Sequence, residues 1–371
     1  MLRWGSLFIL LTAMMTSAHA GEKTANPVVD MAALMNIGSL VDKLADRQVV
    51  FVGESHDQYQ HHLNQLAIIQ GLHARHPDLA IGLEFFFQPY QSVLDRYIAG
   101  KIDEAEFLRD TQYFDRWRFD YRLYRPIFRY AREHGIPLVA LNLESEITKQ
   151  VGKGGFESLS EAQKQRLPSD IDRSNKAYRE RIKAVYDQHP HAPGQDFERF
   201  LDVQLLWDEG MAAKAAEWLK AHPGRHMVIL AGIGHLMYRQ GIPDRLERRD
   251  PVSSAVVLNV NQTDALDPAM ADFLIMAGKT ELPPAGKLGV FLDLSDVRPR
   301  VSGFDEGSGA AKAGVESGDR LIAIDGTPIK NYADLRIALL DKAVGDKVKL
   351  EVERDHVFLG TRQESYTVTL N

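Results

Sequence analysis

The sequence predicts an α/β protein: a mostly parallel sheet with covering helices and a helical insertion, followed by a small β-rich C-terminal domain. Three observations lead there. Short apolar runs alternate with helical stretches, which is the pattern of strand–helix–strand units. Several of those runs stop on polar residues, as Val49-Val50-Phe51-Val52 does before Gly53-Glu54-Ser55-His56-Asp57. Pro283-Pro284-Ala285-Gly286 then divides this pattern from a β-rich tail.

The elements follow in order. Residues 1–20 read as a signal peptide: Arg3 is the positive n-region, Leu7 to Met15 the apolar stretch, and Ala18-His19-Ala20 the cleavage site. Residues 21–47 lead into the domain. A strand at 48–53 precedes a helix near 58–76, and a strand at 79–85 precedes helices near 88–99, 103–110 and 120–134. A strand at 137–143 opens a long, mostly helical connection reaching about 221, long enough to form a subdomain or lid. Strands near 226–232 and 254–260 complete the set. The expected domains are therefore 35–262, a linker at 263–286, and 287–371. In the tail, strands are expected at Leu288–Leu294, Arg320–Ile324, Lys347–Glu353 and Ser365–Leu370, with a helix from Tyr332 to Leu340.

Composition narrows the class. The formal charge of -7 offers nothing to a polyanion, so no nucleic-acid partner is expected. The apolar run near the N-terminus is too short to span a bilayer. With Cys 0, disulfides and a lipid-bearing cysteine are both excluded. A soluble periplasmic protein, not a lipoprotein, is the expectation. Any metal or haem iron must be held by His, Tyr, Met or carboxylate.

Carboxyl ends of parallel strands converge on one crevice, so polar residues at those ends can line one pocket although they are far apart in sequence. Glu54 and His56 close the first strand; the alternative is that Glu54 caps the next helix. His61 and His62 follow on that helix, and His62 shares a face with Leu66 and Ile69. Glu84 precedes Phe85-Phe86-Phe87, a setting that raises a carboxyl pKa unless a cation pairs with it. Asn142 closes the third strand. On the helix near 195–221, Asp208 falls on the apolar stripe Phe197, Leu201, Leu205, Met211, Ala215, Trp218. A buried carboxylate there needs a His, an Arg or a metal. His235 follows Ala231-Gly232-Ile233-Gly234, and Tyr238 could share a helical face with it. Residues 113–130 hold eight aromatics and five arginines, Arg116 and Arg122 among them. They suit a flat ligand with carboxylates, such as a porphyrin, or simply an amphipathic helix packed on a sheet.

These motifs carry a resemblance. Val52-Gly53-Glu54-Ser55-His56-Asp57, Gly82-Leu83-Glu84-Phe85-Phe86, Ala140-Leu141-Asn142, Leu206-Trp207-Asp208-Glu209-Gly210-Met211-Ala212 and Ala231-Gly232-Ile233-Gly234-His235 with Gly241-Ile242-Pro243 resemble the ChaN family of haem-binding uptake proteins. That family sits in a wider group with the Tiki proteases, the TraB-like and the erythromycin-esterase-like proteins. The resemblance implies a haem-binding α/β domain acting in iron acquisition and allows a homodimer with stacked haems. His56, His62, Glu84, Arg116, Arg122, Asp208, His235 and Tyr238 are then the expected cofactor-binding residues, with His235 and Tyr238 as candidate axial ligands and the arginines on the propionates. The wider group implies an alternative, a metal-dependent hydrolase or peptidase with a divalent ion on Glu54, His56 and His235.

The tail resembles a PDZ domain. Lys287-Leu288-Gly289-Val290 is similar to the carboxylate-binding loop, and Ala310-Ala311-Lys312-Ala313-Gly314-Val315 with Gly318-Asp319-Arg320-Leu321-Ile322 to the segment that follows it. The resemblance implies that Leu288, Gly289 and Val290 bind the C-terminal peptide of a partner protein, taken up as an added strand.

Overall fold

The computed structural model describes residues 29–188, 196–261, 266–296, 298–356 and 360–371. The expected signal peptide at 1–20 lies outside the described residues. No helix among the described residues is long and apolar enough to cross a membrane.

The chain forms two compact units. One comprises the described residues up to Lys101 together with Leu123–Glu281; the other comprises Ile102–Arg122 with Leu282–Asn371.

The first unit is built on six strands: β1 (Val49–Glu54), β2 (Ala80–Phe87), β3 (Leu138–Asn142), β4 (Met227–Gly232), β5 (Ser254–Val260) and β6 (Phe273–Met276). Their order is β3-β2-β4-β1-β5-β6, and every pairing is parallel. Strands β1 to β4 are buried along their whole length. This explains why they read as continuous apolar runs and not as alternating ones. Val49, Phe51, Ile229 and Val256 on the sheet meet Met211, Ala215 and Leu219 of the helix Phe197–Ala221 in one core. The long connection between β3 and β4 is helical as expected, with helices Ser145–Gly154, Lys176–Asp187 and Phe197–Ala221.

Two expected boundaries need correction. The presumed linker 263–286 contains β6, which pairs with β5 from Val257↔Phe273 to Val260↔Met276. Four residues on an edge are too few to leave a periodic signal. The segment Ile102–Arg122, expected within the first domain, belongs to the second unit. There its helices Glu104–Asp110 and Tyr113–Arg116 pack on the helix Tyr332–Ala338. Arg109 Nε lies 2.6 Å from the buried carboxylate of Asp334, and the Arg336 guanidinium covers the Phe114 ring at 4.9 Å.

The second unit carries a six-stranded antiparallel sheet: β7 (Val290–Asp293), β8 (Arg300–Phe304), β9 (Arg320–Ile324), β10 (Thr327–Pro328), β11 (Lys347–His356) and β12 (Gly360–Thr369). The path is β12-β11-β9-β8-β7, with β10 beside β9. Strand β7 is an edge strand. The sequence pattern missed β8, which alternates only weakly between apolar and polar residues.

Candidate functional site

The carboxyl ends of β1, β2 and β4 bring together the acids and imidazoles expected there. Glu54 is the last residue of β1 and is buried. Its Oε1 lies 2.6 Å from His56 Nδ1, on the turn that follows, and Tyr124 Oη approaches the same oxygen to 3.4 Å. Its other oxygen, Oε2, has no hydrogen-bond partner and faces His62 Nε2 at 3.9 Å. His62 does point inward, but both its nitrogens are engaged. Nδ1 meets Gln65 Oε1 at 3.0 Å and Nε2 meets the His56 carbonyl at 3.2 Å.

Glu84 reaches the site through a break in pairing. The β2–β3 register shifts between Leu83 and Phe87, and Asn142 Nδ2 holds the Glu84 carbonyl at 3.0 Å. Glu84 Oε2 accepts the Gly232 N–H at 2.5 Å, and Oε1 lies 3.3 Å from His235 Nε2. His235 Nδ1 lies 2.5 Å from Asp208 Oδ1, and the Tyr178 hydroxyl donates to Asp208 Oδ2 at 2.7 Å. The buried carboxylate on the long helix thus meets a histidine. The result is a chain Tyr178–Asp208–His235–Glu84, with the Glu54–His56 pair beside it. Gly232 lets the two parts approach, because a Cβ there would stand 3.0 Å from His56 Cε1 and 3.6 Å from Glu84 Oε2.

The electrostatics follow from this packing. Burial pushes Glu84 up, but His235, its hydrogen bond, His56 and the Gly232 N–H outweigh burial and hold it at about 2. Burial likewise opposes charge on the imidazoles. Glu54 and Glu84 nevertheless raise His56 to about 9, and Glu84 with Asp208 raises His235 to about 10. At neutral pH the site therefore holds carboxylates and imidazolium ions interleaved. Such a network binds and moves protons, and it offers mixed oxygen and nitrogen donors once the protons leave.

Sequence reasoning missed three members. Tyr178, Arg181 and Arg245 come from the helical connection and from Ile242–Arg249. Burial and Asp208 push the Tyr178 phenol well above its ordinary value. The Arg245 guanidinium lies over its ring at 4.5 Å. Arg181 donates to the Gly234 carbonyl and to Gln240 Oε1, each at 3.0 Å, while its buried Nη2 has no acceptor among the described residues. The tyrosine sits on the inner face of Lys176–Asp187, but nothing local marks it as a partner of Asp208.

Other expected positions are not arranged as expected. The short helix Ile233–Leu236 ends before Tyr238, whose φ of 58° is left-handed, so His235 and Tyr238 do not share a helical face. The Tyr238 hydroxyl donates to Asp267 Oδ2 at 3.0 Å, and burial and that carboxylate raise its pKa to about 12. Arg116 and Arg122 lie in the second unit and bond there, Arg116 to Gln112 at 2.9 Å and Arg122 to Asp120 at 2.7 Å. Tyr113, Phe114, Trp117, Tyr121, Tyr124 and Phe128 are buried. The aromatic density of this stretch is therefore core packing, because those rings have no open face. Glu54, His56 and His235 do not form one of the groups whose donor atoms all lie within 4.8 Å of one another among the described residues. His235 would have to leave a carboxylate before serving as a metal ligand.

Comparison with known proteins is consistent with this architecture. A family model described as haem-binding uptake, Tiki superfamily, ChaN matches residues 40–246, and a PDZ domain model matches residues 286–362. A solved structure of ChaN from Campylobacter jejuni, described by its cofacial haem binding, has a TM-score of 0.54 and 16% identity, covering 66% of this chain and 92% of that one. At that identity the likeness concerns the fold. The protein RETICULATA-RELATED 5 of Arabidopsis thaliana is 22% identical over 241 residues, 58% of this chain and 31% of the relative. A Brucella suis protein named for zinc metalloprotease activity is 42% identical over 57 residues, 15% of each chain. The chain thus spans under a third of the curated relatives it matches.

Proposed function

The chain belongs to the ChaN family of haem-binding uptake proteins in the Tiki superfamily and ends in a PDZ domain, and from that premise we propose that it takes up haem at the strand ends of its first unit. The observation that carries this reading is the gathering of Glu54, His56, Glu84, Asp208 and His235 at the carboxyl ends of parallel strands within the family-matched residues. The residues present fit a porphyrin with two carboxylates. The unmatched Arg181 Nη2 is a buried N–H that lacks an acceptor, which a haem carboxylate would supply. Tyr238 is the iron ligand in this reading. Its phenol is half-buried and hydrogen-bonded to Asp267, whose carboxylate would take the proton that the phenol gives up on binding. His235 is the weaker candidate, since both ring nitrogens already face carboxylates.

The wider role is iron acquisition in the periplasm, with the PDZ domain holding a partner's C-terminal peptide. Support for the last step is local. Strand β7 pairs on one side with β8, Phe291 on it is 55% exposed, and Gly289 turns at φ 74° into the strand. Leu288 anchors that loop in the core.

Titration of the purified chain with hemin, followed by absorbance, tests the reading. Saturable growth of a shifted Soret band is expected. Tyr238→Phe should change the spectrum and weaken binding about tenfold or more, near 1.4 kcal/mol. Arg181→Gln should weaken binding without changing the spectrum. A wild-type chain that gives no Soret shift removes the haem reading, and a spectrum untouched by Tyr238→Phe removes this ligand.

A further inference from the structure

At the other end of the same sheet, three side chains outside the strand-end network come together. His76 and Asp78 lie on the turn leading into β2, and His226 immediately precedes β4. These strands are neighbours, with Ala80 opposite Met227, and the Ala80 N–H closes on the His226 carbonyl at 2.9 Å. The turn is rigid. The Leu79 N–H bonds the His76 carbonyl at 3.0 Å, and Pro77 fixes the backbone between them. The positions of all three residues are thus set by sheet register and a closed turn.

The nitrogens are arranged for a shared guest. His76 Nε2 lies 2.7 Å from the Ala45 carbonyl. A carbonyl only accepts, so Nε2 carries the proton and Nδ1 keeps its lone pair. The same outer hydrogen bond orients histidines that ligate metals. The His226 ring stacks on His76 at 3.6 Å, with 21° between the planes. His226 Nδ1 is buried without a hydrogen-bond partner, and the nearest Asp78 oxygen is at 3.9 Å, too far for such a bond. One donor atom from each of the three residues lies within 4.8 Å of the other two, and no other group of three among the described residues does so.

We propose that His76, Asp78 and His226 form a binding site for a divalent transition-metal ion at the amino end of the sheet. Two imidazoles and one carboxylate suit the borderline ions such as zinc or cobalt, whereas calcium and magnesium call for more oxygen ligands. Three protein ligands leave a position for water. The ion would tie the turn after the helix Tyr59–His73 to the start of β4, so binding stabilises the folded first unit by mass action.

The test uses the full chain without a polyhistidine tag, stripped with chelator and then titrated with zinc, with cobalt as the spectroscopic probe. One ion per site, a rise in melting temperature with zinc, and visible cobalt bands are expected. Asp78→Asn and His226→Gln should each weaken zinc binding about tenfold or more and abolish the zinc-dependent rise. Asp78 is exposed, so the Asn variant should melt like wild type in chelator, which separates ligand loss from misfolding. His56→Gln and His235→Gln should retain the site. Absence of zinc binding to the wild type overturns the proposal. So does zinc binding that His226→Gln leaves unchanged, or zinc binding lost only in the His56 and His235 variants.

Discussion

Raising the pH from 6.5 to 9 should destabilise the first unit steeply, because two buried imidazolium ions hold protons that the unfolded chain gives up. Carboxylates outweigh burial at both sites, so His56 titrates at about 9 and His235 at about 10 in the fold, against 6.5 for an ordinary histidine. Both shifts are upward. Their stabilisation is complete below pH 6.5 and is lost as pH climbs toward the folded values. For His56 the gap corresponds to about 3.4 kcal/mol at 1.36 kcal/mol per pH unit. Once the unfolded histidines have lost their protons and while both stay charged in the fold, two protons separate the states, and stability should fall by about 2.7 kcal/mol per pH unit. His73 and His226 have lowered values, so they are neutral in the fold; their opposite effect is confined to the low end of the window, where the unfolded histidine still holds part of its proton. The assay is urea unfolding between pH 6.5 and 9, read by tryptophan fluorescence with Trp207 and Trp218 reporting on this unit. In His56→Gln one proton remains, and the slope should fall to about 1.4 kcal/mol per pH unit. Stability that is level from 6.5 to 9, or an unchanged slope in the variant, would refute the charged network.

Two further outcomes follow from packing. Gly232→Ala should cost about 1–3 kcal/mol by urea unfolding at pH 6.5, since the new methyl would stand 3.0 Å from His56 Cε1 and 3.2 Å from Nε2; a change under a few tenths would mean that His56 moves aside freely. In the PDZ domain, buried Asp319 accepts from Arg354 Nε at 2.8 Å, Arg354 Nη2 at 2.7 Å and the Glu316 N–H at 2.8 Å. Asp319→Ala should destabilise that unit by about 3–5 kcal/mol, measured by calorimetry of the full chain as a lowered transition.

How much of this was legible depended on whether a residue's partner lies nearby in sequence or in kind. Five of the six strands of the parallel sheet announced themselves as apolar runs, and their polar ends pointed to Glu54, His56, Glu84 and His235. Asp208 was legible because a carboxylate on an apolar stripe demands a partner, and His235 supplies it at 2.5 Å. Which partner it would be was not legible, since that depends on where a strand end and a long helix cross. Tyr178 carried no signal, as an aromatic residue on an inner helical face looks like any packed one. Tyr238 defeated the helical reading because a left-handed φ at a non-glycine residue leaves no mark in the sequence. The arginine- and aromatic-rich stretch was ambiguous in a different way: burial and ligand stacking select the same rings, so composition could not separate core from platform.

The rule that ligands gather at the carboxyl ends of parallel strands directs attention to one edge of the sheet. Topology imposes no such preference on proximity. The register that sets β4 between β1 and β2, and so brings Gly232 between His56 and Glu84, also sets His226 beside the turn that enters β2. Residues separated by the whole helical connection are adjacent at both ends of the strands for one reason. At the carboxyl end, carboxylates flank His56 and His235 and hold them protonated. At the amino end, two rings share one acid, and one ring nitrogen is left without a hydrogen bond. Proton storage at one edge and metal affinity at the other are thus separated by the ratio of carboxylates to imidazoles, not by the fold.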